Sequence, residues 1–219
     1  MAIRAYDETY IAHAQDVLGH AVDFAVISLG IDPDAFADAF VISNASKQFE
    51  SGNPRYVVGM NGCELARLVL SQTHASYTDT EDAMYLDKSP EYWAGWALAW
   101  YQWYSCRSFM DILHAIPLSQ IIGMYDVYHE MDVMQFADHM DSLMAQAYPA
   151  TQLKIRRINC GLSQSELAAD SGVAIRQIQL FEQKQRNINN VAALTLLQLS
   201  KSLHCRMEDL IEYGALPKS

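Results

Sequence analysis

Ser163 to Arg186 reads SQSELAADSGVAIRQIQLFEQKQR, and the spacing of its residue types decides how the surrounding chain folds. Ser163 is a helix cap with Glu166 three residues on to complete a capping box, and Leu167 and Ala168 then face inward. Gly172 ends that helix, because glycine accepts the left-handed backbone of a sharp turn, and Val173 can plug the angle between two crossing helices. A second helix is expected from about Ala174. Its inner side would be Ile178, Phe181 and the aliphatic stem of Glu182, leaving Ile175, Arg176, Gln177, Gln179 and Leu180 outward or on the flanks. Arg and Gln carry the donors and acceptors that suit base edges in a major groove.

Residues from about Gln152 to Tyr213 resemble the Xre family of lambda-repressor-like helix-turn-helix domains. The pattern is met by Leu162, Ser163, Gln164, Leu167, Ala168, Gly172, Val173, Ile178 and Glu182, over somewhat more than a quarter of the chain. The resemblance implies that Gln164 binds the DNA backbone at the start of the first motif helix. It also implies that Ile175, Arg176, Gln177 and Gln179 lie at or near the groove. Two positions depart from the pattern. Ala174 stands where Ser or Thr usually caps the recognition helix, a loss of roughly 0.5–2 kcal/mol, and Lys184 stands where a glycine often ends it.

Around this motif, Lys154, Arg156 and Arg157 are expected on a preceding helix whose core side is Leu153, Ile155 and Ile158. Lys154 and Arg157 are expected to hold phosphates, which orients a protein on DNA without choosing sequence. Lys184 and Arg186 extend the basic group beyond the second motif helix. Val191 to Leu203 supplies a supporting helix through Leu194 and Leu197, and Met207 to Ile211 a closing one, giving a five-helix module.

The overall charge of −11 divides unevenly. Residues 1–149 hold 6 Lys+Arg against 20 Asp+Glu, a net −14, while residues 150–219 hold 9 against 6, a net +3. Phosphate attraction acts over about a Debye length, roughly 8–10 Å in ordinary salt, so an acidic neighbour weakens nonspecific binding by a basic module without abolishing binding. The expected domains are therefore 1–149, acidic and all-helical, and 150–219, the DNA-binding module, joined at Tyr148-Pro149-Ala150.

In the front part, Asp7 to Gly30 has Tyr10, Ala14, Val17, Ala21, Ala25 and Leu29 at helical spacing. Asp32-Pro33 starts another helix that carries Phe36, Phe40 and Val41 inward. Ser46 to Glu50 continues as helix until Gly52-Asn53-Pro54 breaks it, Asn61 to Thr73 is helical, and His74 to Lys88 is a polar connection. Pro90 to Ser105 places Trp93, Trp96, Trp100 and Trp103 on one stripe, with Ala94, Gly95 and Ala97 small enough for a close neighbour. The stripe reads as the core of a central helix rather than a recognition surface. Helices over Ser108–Ala115, Leu118–Met131 and Asp132–Ala147 complete an all-α chain, with no strand alternation and no internal repeat.

The function classes left out follow from the same reading. The most apolar aromatic run, Tyr92 to Tyr104, is too short to cross a bilayer, and no apolar leader opens the sequence, so a cytoplasmic protein is expected. Cys63, Cys106, Cys160 and Cys205 are far apart in sequence and read as reduced, semi-buried thiols. His129-Glu130 lacks the second histidine of a zinc-protease helix, because position 133 is Val, and His129, Glu130, Asp132, His139 and Asp141 read as a solvated face. No phosphate loop or nucleophile elbow is present, so neither an enzyme nor a cofactor is expected.

The resemblance thus implies a sequence-specific regulator of transcription, a repressor, that binds double-stranded DNA as a homodimer. A second expectation comes from the front part, which is similar to a helical region accompanying Xre domains in gut bacteria beside genes for ADP-ribosyltransferase-like toxins. It is an antitoxin whose residues 1–149 neutralise a protein partner while its DNA binding regulates its own operon.

Overall fold

The computed structural model describes residues 4–82, 88–148 and 150–212. Among them the chain is all-helical, with no strand. It divides into two compact units, Met1–Met144 and Ala145–Ser219. The division falls in the last turn of a helix, Val133–Ala147, five residues before the expected junction, whose Pro149 lies outside the described residues, as do Tyr213 and residues 83–87 of the polar connection.

In the first unit the α-helices are α1 (Ile11–Asp23), α2 (Pro33–Ile42), α3 (Asn44–Glu50), α4 (Pro54–Val57), α5 (Gly62–Gln72), α6 (Pro90–Ser105), α7 (Phe109–Ala115), α8 (Leu118–Ile122), α9 (Tyr125–Tyr128) and α10 (Val133–Ala147). Their starts are written in the sequence. Asp32, Asn53 and Ser89 each cap a helix that opens on a proline, and Asn61 with Glu64 forms a full capping box on α5. The expected helix Asp7–Gly30 is a graded one: a 3₁₀ turn at Glu8–Tyr10, then α1, then a π segment at Phe24–Ser28 that ends before Gly30 with φ +66°. Ala14, Val17, Ala21 and Ala25 are buried along it, as their spacing requires.

Helices α1 and α6 form the centre of this unit and pack more extensively than any other pair. Their closest approach is at Gly95 on α6, which lies against the backbone of Leu18 and Gly19 on α1. This corrects the reading of the tryptophan stripe. Only Trp103 is buried, its indole Nε1–H donating to the Tyr6 carbonyl at 2.9 Å, while Trp93, Trp96 and Trp100 are half-buried on the side away from the glycine contact. The close approach requires glycine at position 95, and Trp93, Trp96 and Trp100 fall off that side of the helix. The expected single helix Leu118–Met131 is likewise split into α8 and α9 at Gly123-Met124.

The second unit contains α11 (Gln152–Asn159), α12 (Gln164–Ser171), α13 (Ile175–Glu182) and α14 (Ala193–Ser202), with 3₁₀ turns at Ile188–Asn190 and Met207–Leu210. Its core is Leu153, Leu167, Val173, Ile178, Phe181, Ile188, Leu196, Leu199, Leu203 and Leu210. Two inward assignments are corrected. Ile158 is 56% exposed near the end of α11, whose buried residue is Leu153, and Leu194 and Leu197 are 65% and 37% exposed because α14 turns its Leu196 and Leu199 edge to the core instead. Glu212 closes the unit, its Oε1 accepting from the Gln152 amide at 2.6 Å and its backbone bonding Asn189 in both directions.

No helix among the described residues is long and apolar enough to cross a membrane. Among the described residues no cysteine is in a disulfide; Cys63 is buried, whereas Cys160 is exposed rather than semi-buried.

Candidate nucleic-acid interface

Helices α12 and α13 are joined by three residues. Ser163 caps α12 and Glu166 returns the bond to the Ser163 amide at 2.8 Å, so the capping box is complete. Gly172 follows at φ +70°, where a side chain would strain the backbone, and Val173 is buried behind it. Ser171 Oγ donates to the Leu167 carbonyl at 2.6 Å and accepts from the Val173 amide at 3.2 Å, which fixes the turn from within. Two short helices joined by a three-residue turn containing glycine are thus present over the stretch where the sequence placed them.

The inner face of α13 is Ile178 and Phe181, both buried. Its other faces carry Ile175 and Arg176, exposed, with Gln177, Gln179 and Leu180 half-exposed. Among the described residues, the side chains of Arg176, Gln177, Gln179 and Lys184 make no hydrogen bond or ion pair. Lys184 sits just past α13 at φ +57°, a left-handed position that favours glycine, and its charge is thereby held on an exposed turn. Arg186 is also exposed, its guanidinium 5.8 Å from the centroid of the Phe181 ring, and Lys154 is exposed on α11.

Arg157 and Gln164 are placed otherwise than the sequence suggested. Arg157 Nε and Nη2 donate to the two carboxylate oxygens of Glu182 at 2.7 and 2.9 Å, and its Nη1 donates to the Leu162 carbonyl at 2.7 Å. The pair is withdrawn from water, with side-chain exposures of 11% for Arg157 and 3% for Glu182. Gln164 Nε2 donates to the same carboxylate at 2.8 Å. Glu182 therefore contributes its charge, and not only its stem: it ties α11, the start of α12 and the end of α13 into one polar knot. Arg157, expected on phosphate, is a structural cation, because a bidentate carboxylate and a carbonyl use its donors. Sequence reasoning missed this knot; its signal was an Arg and a Glu, 25 positions apart, both falling on inward faces of helices otherwise apolar there.

Burial pushes the Glu182 carboxyl up, but the hydrogen bonds from Arg157 and Gln164 outweigh it and hold the group below the usual carboxylate range. Arg157 is raised in turn, chiefly by its bonds to Glu182.

Ala174 occupies the cap position of α13 at φ −56° and ψ 133°, already in cap geometry, with no side-chain oxygen to offer. Ala174→Ser is expected to stabilise the second unit by about 0.5–2 kcal/mol, since the hydroxyl can accept an orphan amide of α13. Hydrogen exchange at the Arg176 amide checks this, since the Gln177 amide already donates to the Ala174 carbonyl at 2.8 Å; unchanged protection would mean that the turn, not the missing cap, limits α13.

No protein-family model matches the chain. Neither does any curated protein or any solved structure.

Proposed function

We propose that the chain is a sequence-specific DNA-binding regulator of transcription, a repressor without enzymatic activity, acting in the cytoplasm. The observation that supports it most is the outer side of α13, where Arg176, Gln177 and Gln179 stand unbonded on a helix fixed from behind by Ile178, Phe181 and the Glu182 knot. Preorganised donors of this kind suit base edges, and the exposed Lys154, Lys184 and Arg186 suit phosphates. Gln164 joins the site through its backbone end of α12 and the amide oxygen not used by Glu182. Ile175 offers an apolar contact at the first turn.

One module of this size reads few base pairs, so the regulator works as a homodimer on half-sites about 34 Å apart. Arg176→Ala is expected to cost about 1–3 kcal/mol of binding and to relax one position of the operator. Mapping the bound sequences of both forms decides it. Equal weakening on all sequences would make Arg176 a phosphate contact, and no DNA binding by either form would end the proposal.

The net −14 of residues 1–149 supports a second reading, an antitoxin whose acidic part covers a basic protein partner while the DNA-binding unit regulates its operon. Co-purification of a basic neighbouring gene product, released at high salt, is the result expected of it.

A further inference from the structure

The first unit holds an open cleft of about 480 Å³ between the start of α6, α9 and the start of α10, in the size range of small-molecule sites. Its walls are aromatic and braced against each other. Trp93 meets Tyr125 and Phe136 edge-on, at centroid distances of 5.9 and 5.4 Å, and Tyr128 meets Phe136 at 6.1 Å. Trp96 lines the same cleft, half-buried, with no ring partner among the described residues. Tyr125 and Tyr128 each stack one face on a histidine, His129 at 4.2 Å and His139 at 5.5 Å, so these contacts brace the walls and Trp96 is the ring left without a partner among the described residues.

The cleft is lined by charges of both signs, Asp132 and Lys88. Asp132 accepts from the Met134 amide at 2.8 Å, at the positive end of α10, and Glu130 lies 3.7 Å from His129 Nε2. Lys88 is different. Its Nζ is 2.9 Å from His20 Nε2 and 4.0 Å from the centroid of the Tyr92 ring, and no carboxylate pairs with it among the described residues. His20 Nδ1 lies 2.9 Å from the Asp16 carbonyl, which assigns the ring proton to Nδ1 and leaves Nε2 to accept from the ammonium. The exposed ammonium thus stands at the cleft with donors to spare and no carboxylate partner among the described residues.

We propose that this cleft binds a small planar aromatic carboxylate, its ring against Trp93 and Trp96 and its carboxylate on the Lys88 ammonium. An organic cation would suit the aromatic walls alone, but Lys88 already holds the face of Tyr92 and would repel it. The site goes beyond the DNA-reading proposal and does not depend on it.

Isothermal titration of the full chain with indole-3-acetate, 2-naphthoate, neutral indole and cationic tryptamine tests it. The two acids are expected to saturate, with tryptamine at least about tenfold weaker, the factor that one charge-assisted hydrogen bond supplies. Lys88→Met is expected to reduce the acid to the affinity of indole while leaving indole unchanged. Trp96→Ala is expected to abolish binding of both at unchanged helicity. Equal or tighter binding of tryptamine, an acid indifferent to Lys88→Met, or no saturation by either acid at millimolar concentration would overturn the proposal.

Discussion

Glu182→Ala is expected to destabilise the second unit by about 3–5 kcal/mol, the cost of leaving a buried charge without its partner. The carboxylate is 3% exposed and receives three donors, two from Arg157 and one from Gln164. Removing it strands a guanidinium that is itself 11% exposed and whose remaining bond is to the Leu162 carbonyl. A unit of this size has a total stability of roughly 4–11 kcal/mol, so the loss takes a large share of it. Hydrogen exchange at the Leu167, Ile178 and Phe181 amides reads the effect where it arises; protection equal to that of the parent chain would show that the knot contributes nothing net. The milder Glu182→Gln carries the pH signature. The Glu182 carboxyl lies below its unfolded value of about 4.3, so its contribution is present above that value and is lost as pH falls through the lower folded one. The glutamine variant is therefore expected to be less stable at neutral pH and to lose less on acidification through this window.

The same knot shows what can and cannot be read from a sequence. Local rules wrote most of the helix starts: Asp32-Pro33, Asn53-Pro54 and Ser89-Pro90 are caps followed by proline, and the capping boxes at Asn61 and Ser163 involve residues three apart. A helix start depends on a few neighbouring residues, and these are present in the string. Facing is harder where several leucines compete. On α14 the stretch LTLLQL offers two apolar edges, and tertiary packing chose Leu196 and Leu199 over Leu194 and Leu197. The role of Arg157 is harder still, because a basic residue on a basic module reads as a phosphate contact until its partner 25 positions away is known. The aromatic cleft was hidden for the same reason. Trp93 and Trp96 are one turn apart on α6, but Tyr125, Tyr128 and Phe136 come from later helices, and the split at Gly123-Met124 that creates α9 separately from α8 was not legible as a break.

Gly95→Ala is expected to destabilise the first unit although alanine is the better helix former. A Cβ at position 95 would lie 2.5 Å from the Leu18 carbonyl oxygen and 2.9 Å from both the Leu18 carbonyl carbon and the Gly19 Cα, all of them backbone atoms of α1. No side chain can move aside to make room, so the two central helices must separate along their seam. Gaining helix propensity is worth about 1 kcal/mol, whereas overpacking costs about 3 kcal/mol at the upper end of its usual range. Strain wins by about 2 kcal/mol on these figures, and Gly95→Val, larger and β-branched, is expected to lose more. Gly19→Ala is the comparison: its obstacles are Tyr92 ring atoms at 2.8 and 2.9 Å and the Tyr92 carbonyl oxygen at 3.0 Å, and it is expected to cost less because its one backbone obstacle stands farther off than those at position 95. Denaturation followed by tryptophan fluorescence reports on this unit alone, because all four indoles are on α6 and Trp93 and Trp96 flank the substituted position. A Gly95→Ala chain as stable as its parent would mean that α1 and α6 can part at little cost, and that the approach of Gly95 to the Leu18 carbonyl does not set their spacing.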